Sequence, residues 1–201
     1  MDKTLWHGLF WGVLLWSGWH PKDQLTWFLE VFPALAGYGV MVMTAGRFPL
    51  TPLVRWLVLV HMIILMVGGH YTYAEVPLGD WVRDLLGQTR NNYDKLGHFA
   101  QGFVPALIAR EIVTRLKVFR RERWIPFFVI CVCLAISAFY ELIEWWVALA
   151  SGEAAEAFLG MQGYVWDTQS DMFLALVGAI SALVLLSRVH DRQLEALQKP
   201  A

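Results

Sequence analysis

Apolar residues run along the chain in long blocks, broken by short clusters of proline, glycine and charge. About 20 mostly apolar residues cross a bilayer as a helix, and six segments approach that length: 5–19, 25–45, 53–71, 93–113, 125–150 and 167–187. The first is short, yet no small-residue cleavage pattern precedes His20-Pro21-Lys22-Asp23, so it reads as a retained helix rather than a signal peptide. The pattern predicts an all-α, polytopic membrane helix bundle of about six transmembrane helices, forming one integral domain over residues 1–201.

Two stretches between the blocks are helical in period but too polar to span. In 79–87, Trp81, Val82, Leu85 and Leu86 recur at helical spacing, with Asp80 expected as the cap. In 151–160, Ser151 is the expected cap, Phe158 and Leu159 the apolar contact, and Gly160 the stop. Both predict short amphipathic interfacial helices in the outward loops, the first placed to act as a lid. After Arg188 the chain is expected to become a polar end that frays beyond Leu197.

Composition agrees with this picture: the chain is 57% hydrophobic and 16% charged, whereas soluble domains are about 25% charged. The net charge of −1 hides a strong asymmetry. Arg47, Arg55, Arg115, Lys117, Arg120, Arg121, Arg123, Arg188, Arg192 and Lys199 fall on one side of six spans. The other side has Lys22, Arg83, Arg90 and Lys95, beside Asp80, Asp84, Glu153 and Glu156. Basic residues collect on the cytoplasmic side, so both termini are expected there, in the cytoplasmic (inner) membrane of a bacterium. The expected partner is the lipid bilayer, not nucleic acid. Cys131 and Cys133 point apart on a helix and read as small buried residues. Trp6, Trp19, Trp27 and Trp56 read as interfacial anchors, Trp145, Trp146 and Trp166 as walls of a site, and Gly102, Gly178 and Ala182 as points of close helix contact.

Chemistry concentrates in Tyr93–Gly102, the stretch YDKLGHFAQG. Asp94 and His98 are four apart and share a helix face, with Gln101 nearly a turn further on. With the expected orientation, Glu30, His70, Tyr71, Asp94, His98, Glu141, Glu144, Asp167 and Asp171 all lie in the outer half of the membrane. Arg110 and Glu111 remain in the inner half, close enough to its surface for snorkelling to account for them. A charge at the bilayer centre costs roughly 2.5–3.5 kcal/mol. Glu141, about 13 Å from the expected end of its segment at 1.5 Å per residue, therefore needs a partner or a water-filled cavity. Glu144 shares its face. Asp94 and Asp167 lie in first turns, where capping accounts for a carboxylate; His98 and Asp171, one turn deeper, are not explained that way. His61, in an apolar run, reads as a satisfied buried histidine.

The candidate catalytic residues are Asp94, His98, Glu141, Glu144, Asp167 and Asp171. His98, Glu141, Glu144 and Asp171, with Asp94 and His70, are donors for a divalent metal. Carboxylate and imidazole without thiolate suit zinc, magnesium or manganese. A proton site built from the same groups is the alternative.

The segments RFPLTPL, MVGGHYTYAEVPLG, NNYDKLGHFAQGFVPALIAREI, AISAFYELIEWW and FLGMQGYVWDTQSDMF closely resemble the YjdF-type family of bacterial inner-membrane proteins, a domain of unknown function. The resemblance implies a small multi-pass protein of the cytoplasmic membrane and brings no assigned reaction. The chain is also similar to VanZ-like membrane proteins at Asp94, Lys95, His98, Phe99, Glu141 or Glu144, Asp171 and Gly178. It lacks the glutamine after the glutamate and the asparagine after the final aspartate that those proteins carry. Three functions follow from the residues: an enzyme acting on a lipid or isoprenoid-linked substrate, by metal-activated water or by a carboxylate and His98; a non-catalytic membrane subunit; and a small proton- or cation-coupled transporter or lipid translocator.

Overall fold

The computed structural model describes residues 3–151, 156–159 and 161–198, and the regular structure there is helical. In chain order the α-helices are α1 (Lys3–Gly18), α2 (Gln24–Thr44), α3 (Pro52–Tyr71), α4 (Pro77–Leu86), α5 (Tyr93–Arg115), α6 (Ile125–Ser151), α7 (Glu156–Leu159) and α8 (Asp167–Gln198). A 3-10 turn at Glu122–Trp124 leads into α6. The six long helices match the six apolar blocks. The last runs on to Gln198 instead of yielding near Arg188. Ser151 is the last residue of α6, while residues 152–155, over which it is expected to cap the next helix, and Gly160, the expected stop, lie outside the described residues.

Among the described residues four helices are both long and apolar enough to cross a membrane: α2, α3, α6 with its 3-10 turn, and α8. Of the other two, α1 has only 16 residues, while α5 is long but rich in polar groups. Packing explains α5. It lies among α3, α6 and α8, and His98, Gly102, Leu107 and Glu111 are among its buried residues. A helix shielded by neighbours needs no continuous apolar surface for lipid.

Its seam with α8 is the tightest in the bundle. A Cβ on Gly102 would overlap the Ala175 carbonyl, and one on Gly178 would overlap the Phe99 carbonyl. The two backbones therefore touch, as the small residues predict, and Ala182 is fully buried further along.

Local signals set the helix starts. Asp23 accepts from the Thr26 N–H (2.6 Å) at the head of α2. Thr51 caps α3 with Pro52 in its first turn. α4 departs from expectation: Val76 is its cap, while Asp80 binds Arg83 Nη1 (2.7 Å) and Asn91 Nδ2 (3.0 Å). Asn91 also donates to the Val76 carbonyl (3.0 Å) and accepts from the Tyr93 N–H (3.0 Å). Asn91 thus clips α4 to the start of α5. At the end of α3, Thr72 and Tyr73 both adopt left-handed backbone, with φ of 58° and 51°. This turn folds the Tyr73 ring back against Gly68, which has no room for a side chain beside it, and close to Gly97, where an added Cβ would press on the ring.

The tryptophan expectations divide. Trp6 is not a lipid-facing anchor: it is buried, donates from Nε1 to the Arg55 carbonyl (3.0 Å) and stacks on Tyr38. Trp145, Trp146 and Trp166 face outward instead of walling the site. Cys133 is buried and Cys131 exposed, so the two thiols point to different surroundings.

Candidate functional site

Helices α2, α3, α5, α6 and α8 bring their polar turns together at one end of the bundle. Asp94 Oδ1 lies 3.2 Å and Asp171 Oδ2 3.9 Å from His98 Nε2. One donor atom from each of Asp94, His98 and Asp171 falls within 4.8 Å of the other two. The opposite ring nitrogen, His98 Nδ1, lies 3.1 Å from Gln101 Oε1. If Nδ1–H donates to that oxygen, the Nε2 lone pair faces two carboxylate oxygens. Such an arrangement calls for a cation between them, a proton or a metal ion.

Lys95 holds the outer edge of the cluster. Its Nζ donates to Asp171 Oδ1 (2.5 Å) and Asp167 Oδ1 (2.7 Å), and lies 3.6 Å from Asp94 Oδ2. The oxygens Lys95 takes from Asp94 and Asp171 are the ones turned away from His98. Asp167 also accepts from Arg90 Nη1 (2.9 Å). Asp167 therefore anchors the basic side chains and does not face the imidazole.

Glu141 is buried with Oε1 3.9 Å from His98 Nδ1, and that oxygen has no hydrogen-bond partner among the described residues. Glu144 lies across a cavity of about 170 Å³, whose wall includes Glu30, His61, Tyr73, Asp94, His98, Gln101 and Tyr140. The Tyr140 hydroxyl donates to Glu30 Oε2 (3.1 Å). Pro33 and Pro105 also line the cavity. Each lacks the N–H that would bond the carbonyl four residues earlier, leaving the Leu29 and Gln101 carbonyls without that partner.

Of the sequence candidates, Asp94, His98 and Asp171 thus meet directly, Glu141 adjoins them, Glu144 faces them, and Asp167 is one ion pair removed. His70 is elsewhere. Its Nδ1 is 2.8 Å from the Ser17 carbonyl and its ring packs on Trp16, which ties α3 to α1. His61 joins the cavity wall instead of being sealed in an apolar core. Sequence reasoning missed the partnership of Lys95 with α8, Tyr73 as a cavity residue, and the pairing of Glu30 with Tyr140. Glu30 was visible as an early acid in its helix, but nothing in its spacing pointed to Tyr140, 110 positions away.

A second polar network lies at the other end. Glu111 is fully buried, so snorkelling does not account for it. It accepts from the Thr51 N–H (3.0 Å) and hydroxyl (2.7 Å) and from Arg115 Nη1 (2.9 Å), and lies 3.0 Å from His190 Nε2. Arg110 lies 3.1 Å from His190 Nδ1 and donates to Asp191 (2.6 Å). This set joins α3, α5 and α8, and every oxygen of the buried carboxylate has a donor.

No solved structure matches the chain. It is 56% identical over 182 residues to the inner membrane protein YjdF of Escherichia coli K12, an alignment covering 90% of this chain and 87% of that protein. Residues 3–192 match the family described as "Predicted membrane protein (DUF2238)", and the chain belongs to that family.

Proposed function

We propose that the protein is a divalent-metal enzyme of the bacterial cytoplasmic membrane, acting on a lipid or isoprenoid-linked substrate. The observation that carries this reading is the convergence of Asp94, His98 and Asp171. Ligands about 2.1 Å from a tetrahedral ion stand about 3.4 Å apart, between the 3.2 and 3.9 Å separations from His98 Nε2. Gln101 orients the imidazole from behind, as outer partners of metal-bound histidines do. Lys95 occupies the carboxylate oxygens that the ion would not use. A bound divalent cation supplies Lewis-acid polarisation of a phosphoryl or acyl oxygen and acidifies water. Glu144, in the wall of the cavity, is placed to accept or return a proton, and the Glu30–Tyr140 pair to orient a polar headgroup.

The relative's name and the clustering of arginines at the Glu111 end support an inner-membrane location with both termini in the cytoplasm. The cavity then lies in the outer half of the membrane, where lipid-linked substrates have access from the bilayer.

Elemental analysis of the purified protein tests the reading. One divalent ion per chain is expected in the wild type, lost in His98→Ala and Asp171→Asn and kept in Asp80→Asn. Metal-loaded protein is then expected to hydrolyse lipid-linked phosphates or esters. A wild type that stays metal-free after supplementation defeats the proposal. A second reading, a non-catalytic helix lock, is favoured by one observation: Lys95 already bridges three carboxylates. It requires Asp171→Asn to lower stability whether or not metal is supplied.

A further inference from the structure

At the end of the bundle opposite the Asp94–His98 cavity, the start of α1, the end of α2 and the start of α3 enclose a groove of about 250 Å³. Its charged lining among the described residues is basic, from Lys3 and Arg55, with His7 beside them. Neither Lys3 nor Arg55 forms an ion pair among the described residues. Arg55 Nε is buried and meets no hydrogen-bond partner there. A buried guanidinium nitrogen without an acceptor is costly and is ordinarily met by an anion or a carbonyl. The rest of the wall is largely apolar, including Trp6, Met41, Val42, Phe48 and Leu50. Val42 and the neighbouring Met43 are exposed, on a helix that is long and apolar enough to span.

We infer that this groove binds the phosphate headgroup of an anionic phospholipid from the adjoining leaflet. Lys3 and Arg55 meet the phosphate, and the apolar wall takes the glycerol and upper acyl chain. The two halves of the groove decide the ligand class. Basic groups alone would suit any anion, but an inorganic phosphate has no use for a wall of tryptophan, methionine and leucine. A zwitterionic lipid would bring a cation against Lys3 and Arg55, where the described lining offers no carboxylate. The groove shares no lining residue with the Asp94–His98 cavity, so the inference stands or falls separately from the enzyme reading.

Native mass spectrometry and thermal unfolding in detergent micelles test it, with phosphatidylglycerol, phosphatidylcholine and inorganic phosphate as separate additions. Phosphatidylglycerol is expected to remain bound at one molecule per chain and to raise the melting temperature, while the other two do neither. Each basic residue near a membrane surface changes lipid affinity about fivefold. Lys3→Gln is therefore expected to weaken phosphatidylglycerol binding about fivefold, and the Lys3→Gln/Arg55→Gln pair more than tenfold. Arg123→Gln, an exposed charge outside the groove, should leave binding unchanged. Lys3 is exposed, so its variant keeps the test readable even if Arg55→Gln fails to fold. Equal retention of phosphatidylcholine, an equal shift with inorganic phosphate, or undiminished binding in Lys3→Gln would overturn the inference.

Discussion

Lys95 and Glu111 do similar work at opposite ends of the bundle, each as one charged group held by several hydrogen-bonding partners. Lys95 Nζ has Asp94, Asp167 and Asp171 within 3.6 Å. Removing its charge leaves like charges facing one another in a largely buried site. Breaking a buried pair costs about 3–5 kcal/mol, so Lys95→Gln is expected to lose about 3 kcal/mol in denaturant unfolding. If the metal reading is right, added zinc or manganese should restore part of that loss, because the ion neutralises the oxygens facing His98. Glu111→Gln removes the charge and turns one of the two oxygens shared by Thr51, Arg115 and His190 into a donor, in a fully buried setting. A loss of about 3 kcal/mol or more is expected there too, with no rescue by metal. Equal rescue of both variants would mean that the ion acts on overall stability, not at the Asp94–His98 cluster.

Among the elements, the α5–α8 seam decides whether a site exists at all. His98 is on one helix and Asp171 on the other, and their separation is set where Gly102 meets Ala175 and Gly178 meets Phe99. Gly102→Ala and Gly178→Ala are expected to push the helices apart and lower stability by about 1–3 kcal/mol. Metal binding should fall with it, since a shift of a fraction of an ångström spoils a coordination site. Gly12→Ala is the matched control: nothing lies within 4 Å of a Cβ added there. If all three variants bind metal like the wild type, the seam does not set the site. The importance of these glycines was legible in the sequence, because small residues in apolar helices mark close contact. Which residues they touch was not, because helical period gives a face but not the neighbour it meets.

Viewed whole, the molecule places its polar groups by membrane depth, with the Asp94–His98 cavity at one end and the Glu111 network and most arginines at the other. A thiol reagent that does not cross membranes should label Asp84→Cys in intact cells of a cysteine-free variant, and label Arg192→Cys only after lysis. The reverse pattern would invert the proposed topology. Six long helices, their approximate limits apart from the far end of α8, and the pairing of Asp94 with His98 followed from the sequence alone. The reason is local: apolar blocks of spanning length and an i,i+4 spacing are carried by neighbouring residues. Only the tertiary structure decided that Asp171 rather than His70 completes the cluster, that Lys95 reaches across to α8, and that Glu30, His61 and Tyr140 share one cavity. It also showed Glu111 to be a buried hub with His190 and Thr51. Those partners are far apart along the chain, and no local pattern records which helices stand side by side. That choice is made by side-chain packing, by the close approach of glycines, and by the need of each buried charge for a counterpart.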